Sequence, residues 1–393
     1  MFIKITSNLF SRTIFISFVL TLMTMQAQAQ DLYFAGFAFV GNKAQAQTRY
    51  PVASELFKQD AVALNKPLNE ALKKLKRSDI SIIKGESGSL KSGNAVGLSF
   101  GLVNERIERL VEQNEYQSYY RVIAEILVFD FAAGEGRVIA NYPVAVEYHV
   151  ESKELPTAAD DKKAFQAIYQ DLGTEKSIFN AWVNKLEQVK IVRGKNTIRL
   201  KIRNIDLDSA VVNQLPEELK ANNTFATETA QRLEVALVTN QQVPVLPYTG
   251  GEAIGNAMLI RFADTDFQLR LPEPDFVIDV LVREFKRVTV EQKNVYDAYI
   301  YGAFVTLKVL EPLGSDVKFE SKFNYKNQIQ IPKSYNLKVL SDWSIYARYQ
   351  DALFNAITKQ ISERNDKALA DITNTPNIKD QLKSFENIIN QCK

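Results

Sequence analysis

Five consecutive residues have the spacing of a known chemical device. Gly97-Leu98-Ser99-Phe100-Gly101 fits G-x-S-x-G, the turn that presents a nucleophilic serine between a buried strand and a helix. A Ser99 hydrolase also needs a base. The chain has one histidine, His149, and it alternates with Val and Tyr as in a strand. The residues before the motif, "GESGSLKSGNAV", are polar and do not read as the buried strand an elbow requires. The expectation is a strand whose small residues share one face. An envelope serine hydrolase using Ser99 is the alternative.

Other chemistries find less support. One histidine and one cysteine cannot build a zinc site, and no D-x-D-x-D-G loop points to calcium. Glu273, Asp275 and Asp279 in "LPEPDFVID" read as a solvated loop edge, because two prolines hold the segment extended and spread its carboxylates. "TGGEAIGN", from Thr249 to Asn256, is glycine-rich but lacks the Lys-Ser/Thr of a phosphate loop. With 46 acidic residues, any carboxylate pair could be nominated for glycoside hydrolysis, so the sequence singles out none. The basic run from Lys73 to Arg77 sits where cations favour the last turn of a helix. No catalytic residue, metal or cofactor is expected.

The elements that would hold these residues begin after a leader. Lys4 and Arg12 precede an apolar stretch, Thr13 to Met25, and Ala27-Gln28-Ala29 supplies small residues for cleavage. Residues 1–29 read as a secretory signal peptide, with the mature chain starting at Gln30 in the periplasm or outside the cell. No later stretch has the apolar length of a membrane helix. Without the leader, the formal charge changes from 48 minus 46 to 46 minus 46. That neutral balance argues against nucleic acid as a partner. Cys392 reads as an idle thiol in a mobile tail.

The chain then reads as an internal duplication. "GNAVGLSF" (Gly93 to Phe100) is matched by "GNAMLIRF" (Gly255 to Phe262). "YQDLGTEKSIFNAWVNKL" (Tyr169 to Leu186) is matched by "YQDALFNAITKQI" (Tyr349 to Ile361), with five extra residues in the first copy. Each half reads as strand, helix, strand, hairpin strands, helix. The expected fold is α/β (α+β), with two tandem related units, each a largely antiparallel or mixed sheet with helices packed on it. The first unit spans 30–190, the second 195–365, and 366–393 form a C-terminal tail.

"GNAVGLSF", "ILVFDFAAGEGRVIANYPVAVEY" and "IFNAW" together resemble an uncharacterised family of secreted proteobacterial proteins. The element order and the opening "FAGFAF" strand also resemble small periplasmic α/β modules. Among these are the N-terminal domain of the Tol-Pal propeller protein, the outer-membrane activators of penicillin-binding proteins, and the curli secretion pore subunit. The resemblance implies a non-enzymatic envelope protein that binds another envelope protein, here without a lipidated cysteine. Strand addition to an exposed sheet edge is the expected mode. Phe37, Phe39 and the loop of Gly250, Gly251 and Asn256 are the candidate interaction residues. A carrier of a small ligand or lipid in the cleft between the units is a further alternative.

Overall fold

The computed structural model describes residues 29–41, 46–84, 96–112, 115–132, 135–191, 197–250, 257–262, 265–314, 316–334 and 341–393. Residues 1–28, the Gly-Asn pairs of both repeated motifs (Gly93-Asn94 and Gly255-Asn256), and Gly251 lie outside the described residues.

Twelve described strands form two mixed sheets with helices packed on them. In the first half, β1 (Gln30–Val40) leads through α1 (Ala46–Arg49), α2 (Pro51–Gln59) and α3 (Asn65–Leu72) to the short β2 (Ile80–Lys84). A long meander follows: β3 (Val96–Glu112), β4 (Glu115–Ala132) and β5 (Glu135–Ser152). Helices α4 (Ala158–Gln170) and α5 (Ile178–Gln188) close the half. Each starts on a side-chain cap, Thr157 with Asp160 for α4 and Ser177 for α5.

The second half repeats the plan. β6 (Leu200–Leu207) runs through α6 (Ser209–Gln214), α7 (Glu217–Lys220) and α8 (Thr224–Gln241) to β7 (Val245–Leu246). After the hairpin β8 (Ala257–Phe262) and β9 (Thr265–Arg270) comes the meander β10 (Phe276–Gln292), β11 (Tyr296–Leu310) and β12 (Val317–Pro332). Three helices end the chain: α9 (Asp342–Glu363), α10 (Asp366–Ile372) and α11 (Ile378–Cys392).

The strand order β2-β1-β3-β4-β5 of the first sheet matches β7-β6-β10-β11-β12 of the second. In each, the opening strand lies parallel to both neighbours and the meander is antiparallel. This corrects the alignment drawn from the Gly-Asn-Ala motif. The counterpart of β3 is β10, a strand of the same 17-residue length. The strand after the second motif, β8, has six residues and belongs to the other sheet. There it pairs antiparallel with β1, Phe39 opposite Arg261 and Val40 opposite Ile260, while β9 pairs with β5.

Strands β1, β3, β4, β5, β9 and β8 therefore close into a ring. It encloses a small core that includes Leu127, Phe129, Val138, Met258, Ile260 and Leu269. The opposite faces of the same strands contribute to a larger core, which runs through both halves from Leu32 to Cys392. The five residues present only in the first "YQD" copy fall in the break between α4 and α5, whereas α9 runs unbroken for 22 residues. Both copies bury the same rings, Tyr169 with Phe179 and Tyr349 with Phe354.

The stretch read as a tail is folded. Leu369 and Ile372 of α10 and Leu382, Phe385, Ile388 and Ile389 of α11 are buried, and the Phe385 ring lies 5.2 Å from Phe319 of β12. Cys392 is buried with them, and burial pushes its thiol up to about 12. The apolar face of α11 supplies the reason, since its hydrophobic residues recur at helical spacing and need a cover.

Candidate functional site

Ser99 sits near the start of β3, fully buried, and donates to the Gly36 carbonyl at 3.2 Å. Gly36 takes φ +94° at a bulge in β1, where the register against β3 shifts. The first motif glycine is small for a packing reason. A Cβ on Gly97 would lie 2.3 Å from the Phe129 ring. Leu98, Phe100 and Leu102, on the alternate face, are in the main core. No strand-to-helix turn follows Ser99, because β3 continues to Glu112. The register places Ser99 across from Leu127, and Leu127 across from Asn141. His149 lies eight residues further along β5, about 26 Å away at ~3.3 Å per residue. Ser99 and His149 are not brought together.

Phe37 and Phe39 are also internal. β1 is flanked by β3 on one edge and by β2 and β8 on the other, so it offers no open edge. Phe37 stacks on Phe100 with centroids 5.2 Å apart, and Phe39 on Tyr50 at 4.8 Å. These rings build the core that seats α5 and do not form a surface. Gly250 does line a cavity, described below; its partners Gly251 and Asn256 fall outside the described residues.

Two polar features occupy the junction where α8 and α9 of the second half meet the first sheet. One is an ion-pair network. Arg232 of α8, 4% exposed, pairs with Glu108 of β3 and Asp351 of α9, and Asp351 also takes Arg121 of β4. Arg106 pairs with Glu228. Burial opposes the Arg232 charge, but Asp351 and Glu108 outweigh it and hold the guanidinium protonated. Nearby, the Arg348 guanidinium lies 3.4 Å over the Tyr119 ring, and His149 stacks on that ring at 4.4 Å. The network is a spatial meeting of residues from four elements, with no sequence spacing that would reveal it.

The second feature is a small, partly open cavity of about 50 Å³. Glu125 of β4 and Glu234 of α8 line it together with Thr227, Gln231 and Tyr248. Burial raises the Glu125 carboxyl to about 7 against the opposing effect of Asn141. Burial, then the neighbouring Glu125, raise Glu234 well above the usual carboxylate range, against the Tyr248 amide and Lys201. Lys201 is lowered by burial and donates to the Thr249 hydroxyl at 3.2 Å. Raised carboxyls are the kind of group acid catalysis uses. A sugar ring, however, needs several times this volume. The sequence signal was present but weak: Glu125 and Glu234 are single acids inside the apolar runs "IAEILV" and "RLEVALV".

A third buried carboxyl, Glu105, has a structural task. It accepts from the Val52 and Ala53 amides at the start of α2, both at 2.8 Å, and from the Tyr169 hydroxyl at 2.7 Å. Burial still raises it to about 7. Among the described residues, no group of three or more His, Cys, Asp and Glu is placed to hold a metal. No described helix is long and apolar enough to cross a membrane.

No family model and no curated protein matches the chain. Solved structures give distant likenesses. A minor lipoprotein from Acinetobacter baumannii aligns at 12% identity and TM-score 0.22, over 44% of this chain and 94% of that one. A neuraminyllactose-binding hemagglutinin homolog from Helicobacter pylori aligns at 12% and 0.23, over 44% and 90%. A DUF330 protein from Xanthomonas campestris aligns at 10% and 0.18, over 44% and 88%. Superpositions this loose define neither a family nor a function.

Proposed function

We propose that this is a non-catalytic protein of the bacterial cell envelope that binds a protein partner by strand addition at the edge of β12. The leader-like first 29 residues support the compartment. One observation carries the mode of binding: among the described residues, β12, 16 residues long, pairs with β11 on one side only. Its outer edge is covered near Lys322, whose carbonyl accepts from the Thr373 hydroxyl at 2.6 Å. Further along, Lys326, Asn327, Gln328 and Gln330 are exposed. The Gln328 amide is met by the side chain of its neighbour Asn327 at 2.9 Å, which marks it as facing away from β11. Across the sheet from Gln328 lie Ile300 and then Val288, and Val288 and Val290 are 44% and 50% exposed. An edge beside an apolar patch is the surface that strand addition uses.

The test is crosslinking in cells with a tagged protein. Gln328→Pro removes one outward amide and leaves the pairing with β11 intact. The expected result is a partner captured by the wild type and lost in the variant, at unchanged melting temperature. Equal capture by both proteins overturns the proposal.

The two halves support a further reading, duplication of one ancestral unit, on their shared strand order. A carrier function has its own observation. A cavity of about 180 Å³ lies between the end of β3, at Arg109 to Glu112, and Tyr299, Tyr301 and Ile331 of the second sheet. That is room for a ligand the size of one aromatic ring. Native mass spectrometry of freshly purified protein would show the added mass.

A further inference from the structure

Glu125 and Glu234 come from opposite sides of the junction. Glu125 stands on a central strand of the first sheet, and Glu234 on the helix that the second half packs against that sheet. Both are at least 96% buried and line one small cavity. Glu125 Oε2 has no hydrogen-bond partner, nor has the Thr227 hydroxyl in the same wall. Next to them, Val103, Ile123 and Val235 make an apolar seal between α8 and the sheet.

Two cations face the pair from neighbouring elements, and Glu234 stays raised despite Lys201. From β6, Lys201 reaches toward Glu234. From α1, Arg49 lines the cavity; from the segment after β7, Tyr248 gives its amide to Glu234 at 2.8 Å. From β5, Asn141 lies beside Glu125. The contributions of β1, β3 and β8 to the wall are Val40, Gly41, Val103 and Ala257 to Leu259, none of them charged. With both acids ionised, two like charges share a space that holds only a few waters.

We propose that Glu125 and Glu234 form a proton-operated latch that holds α8 on the first sheet while the pair is protonated and loosens it when both ionise. The protonated pair fills the unmet acceptors with O–H donors. Loss of the protons sets two like charges against each other across the junction, and the strain falls on the segment from α8 through Tyr248 to Gly250. This goes beyond the partner-binding proposal and does not depend on it.

Hydrogen exchange of the full chain tests the latch, at about pH 5.5 and about pH 8.5, with intrinsic rates corrected. The opening equilibrium at α8 and at the Tyr248 amide should rise on the order of tenfold for each unit by which the pair's titration is raised. In Glu125→Gln/Glu234→Gln, the same amides should change less than about threefold between the two pH values. If the double variant does not fold, Glu125→Gln alone serves, and it should remove most of the pH response. An unchanged wild-type opening overturns the proposal. So does a wild-type response that the glutamine variants share in full.

Discussion

The Ser99 hydroxyl points to the Gly36 carbonyl, 3.2 Å away, and ties the start of β3 to the bulge in β1. The one string in this chain that spells a nucleophile is thus a cross-strand tie under a closed sheet. Fluorophosphonate should leave the folded protein unlabelled. Ser99→Ala should cost about 1 kcal/mol, the value of one buried hydrogen bond, read from the urea midpoint. Gly97→Ala should cost more, about 2–3 kcal/mol, because its methyl meets the Phe129 ring.

Removing Arg232 takes a partner from two carboxylates. Glu108, 5% exposed, keeps Arg348 at 4.0 Å, and Asp351 keeps Arg121. Arg232→Ala should cost about 3–5 kcal/mol, seen as a large fall in melting temperature. Exchanging the exposed Lys73 for Ala, which breaks its pair with Glu70, should change stability by less than about 1 kcal/mol.

Stability should fall as pH rises from weakly acid to neutral. Glu105 and Glu125 titrate near 7 when folded and near 4.5, the ordinary value of a glutamate, when unfolded. Between those values the folded state binds more protons than the unfolded one, so each unit of pH removes stability. The contribution is complete below about 4.5 and gone above about 7, at up to about 3 kcal/mol per group. Glu234 extends the fall to higher pH. Urea midpoints across this range should decline; a flat or rising profile would show that these carboxyls are solvated.

Ending the chain at Glu363 should unfold at least the second half. It would uncover Phe319, Leu353 and Phe354 and discard the buried face of α11. The apolar surface involved is worth on the order of 5–10 kcal/mol, comparable to the stability of a whole domain. In the intact protein, Cys392 should resist a thiol reagent until denaturant is added.

The long strands were legible in the sequence because alternation and aromatic content mark them directly. Residues 119–131 and 137–150 lie within β4 and β5 as the pattern predicts. Non-local pairing was not legible. Nothing in "AMLIRF" records that its partner is Val40, 220 positions earlier. The exposure of Phe37 and Phe39 depended on whether β1 was an edge, which strand order decides and composition does not. The last helix does carry a readable signal, since Leu382, Phe385, Ile389 and Cys392 recur on one helical face. Of the candidate site, the single acids in apolar runs were visible, but their meeting across the junction was not.

The ring in the first sheet also sets an order of events during synthesis. Strands β1 to β5 can pair as soon as residue 152 is available. The edge of β1 at Phe39 and Val40 must wait for Arg261 and Ile260. At ~10 residues per second, that interval is about 10 s. For that time the nascent first half carries an unsealed edge and an uncovered Phe129. A chaperone that recognises extended apolar segments would find its target there, and would lose it once the hairpin docks.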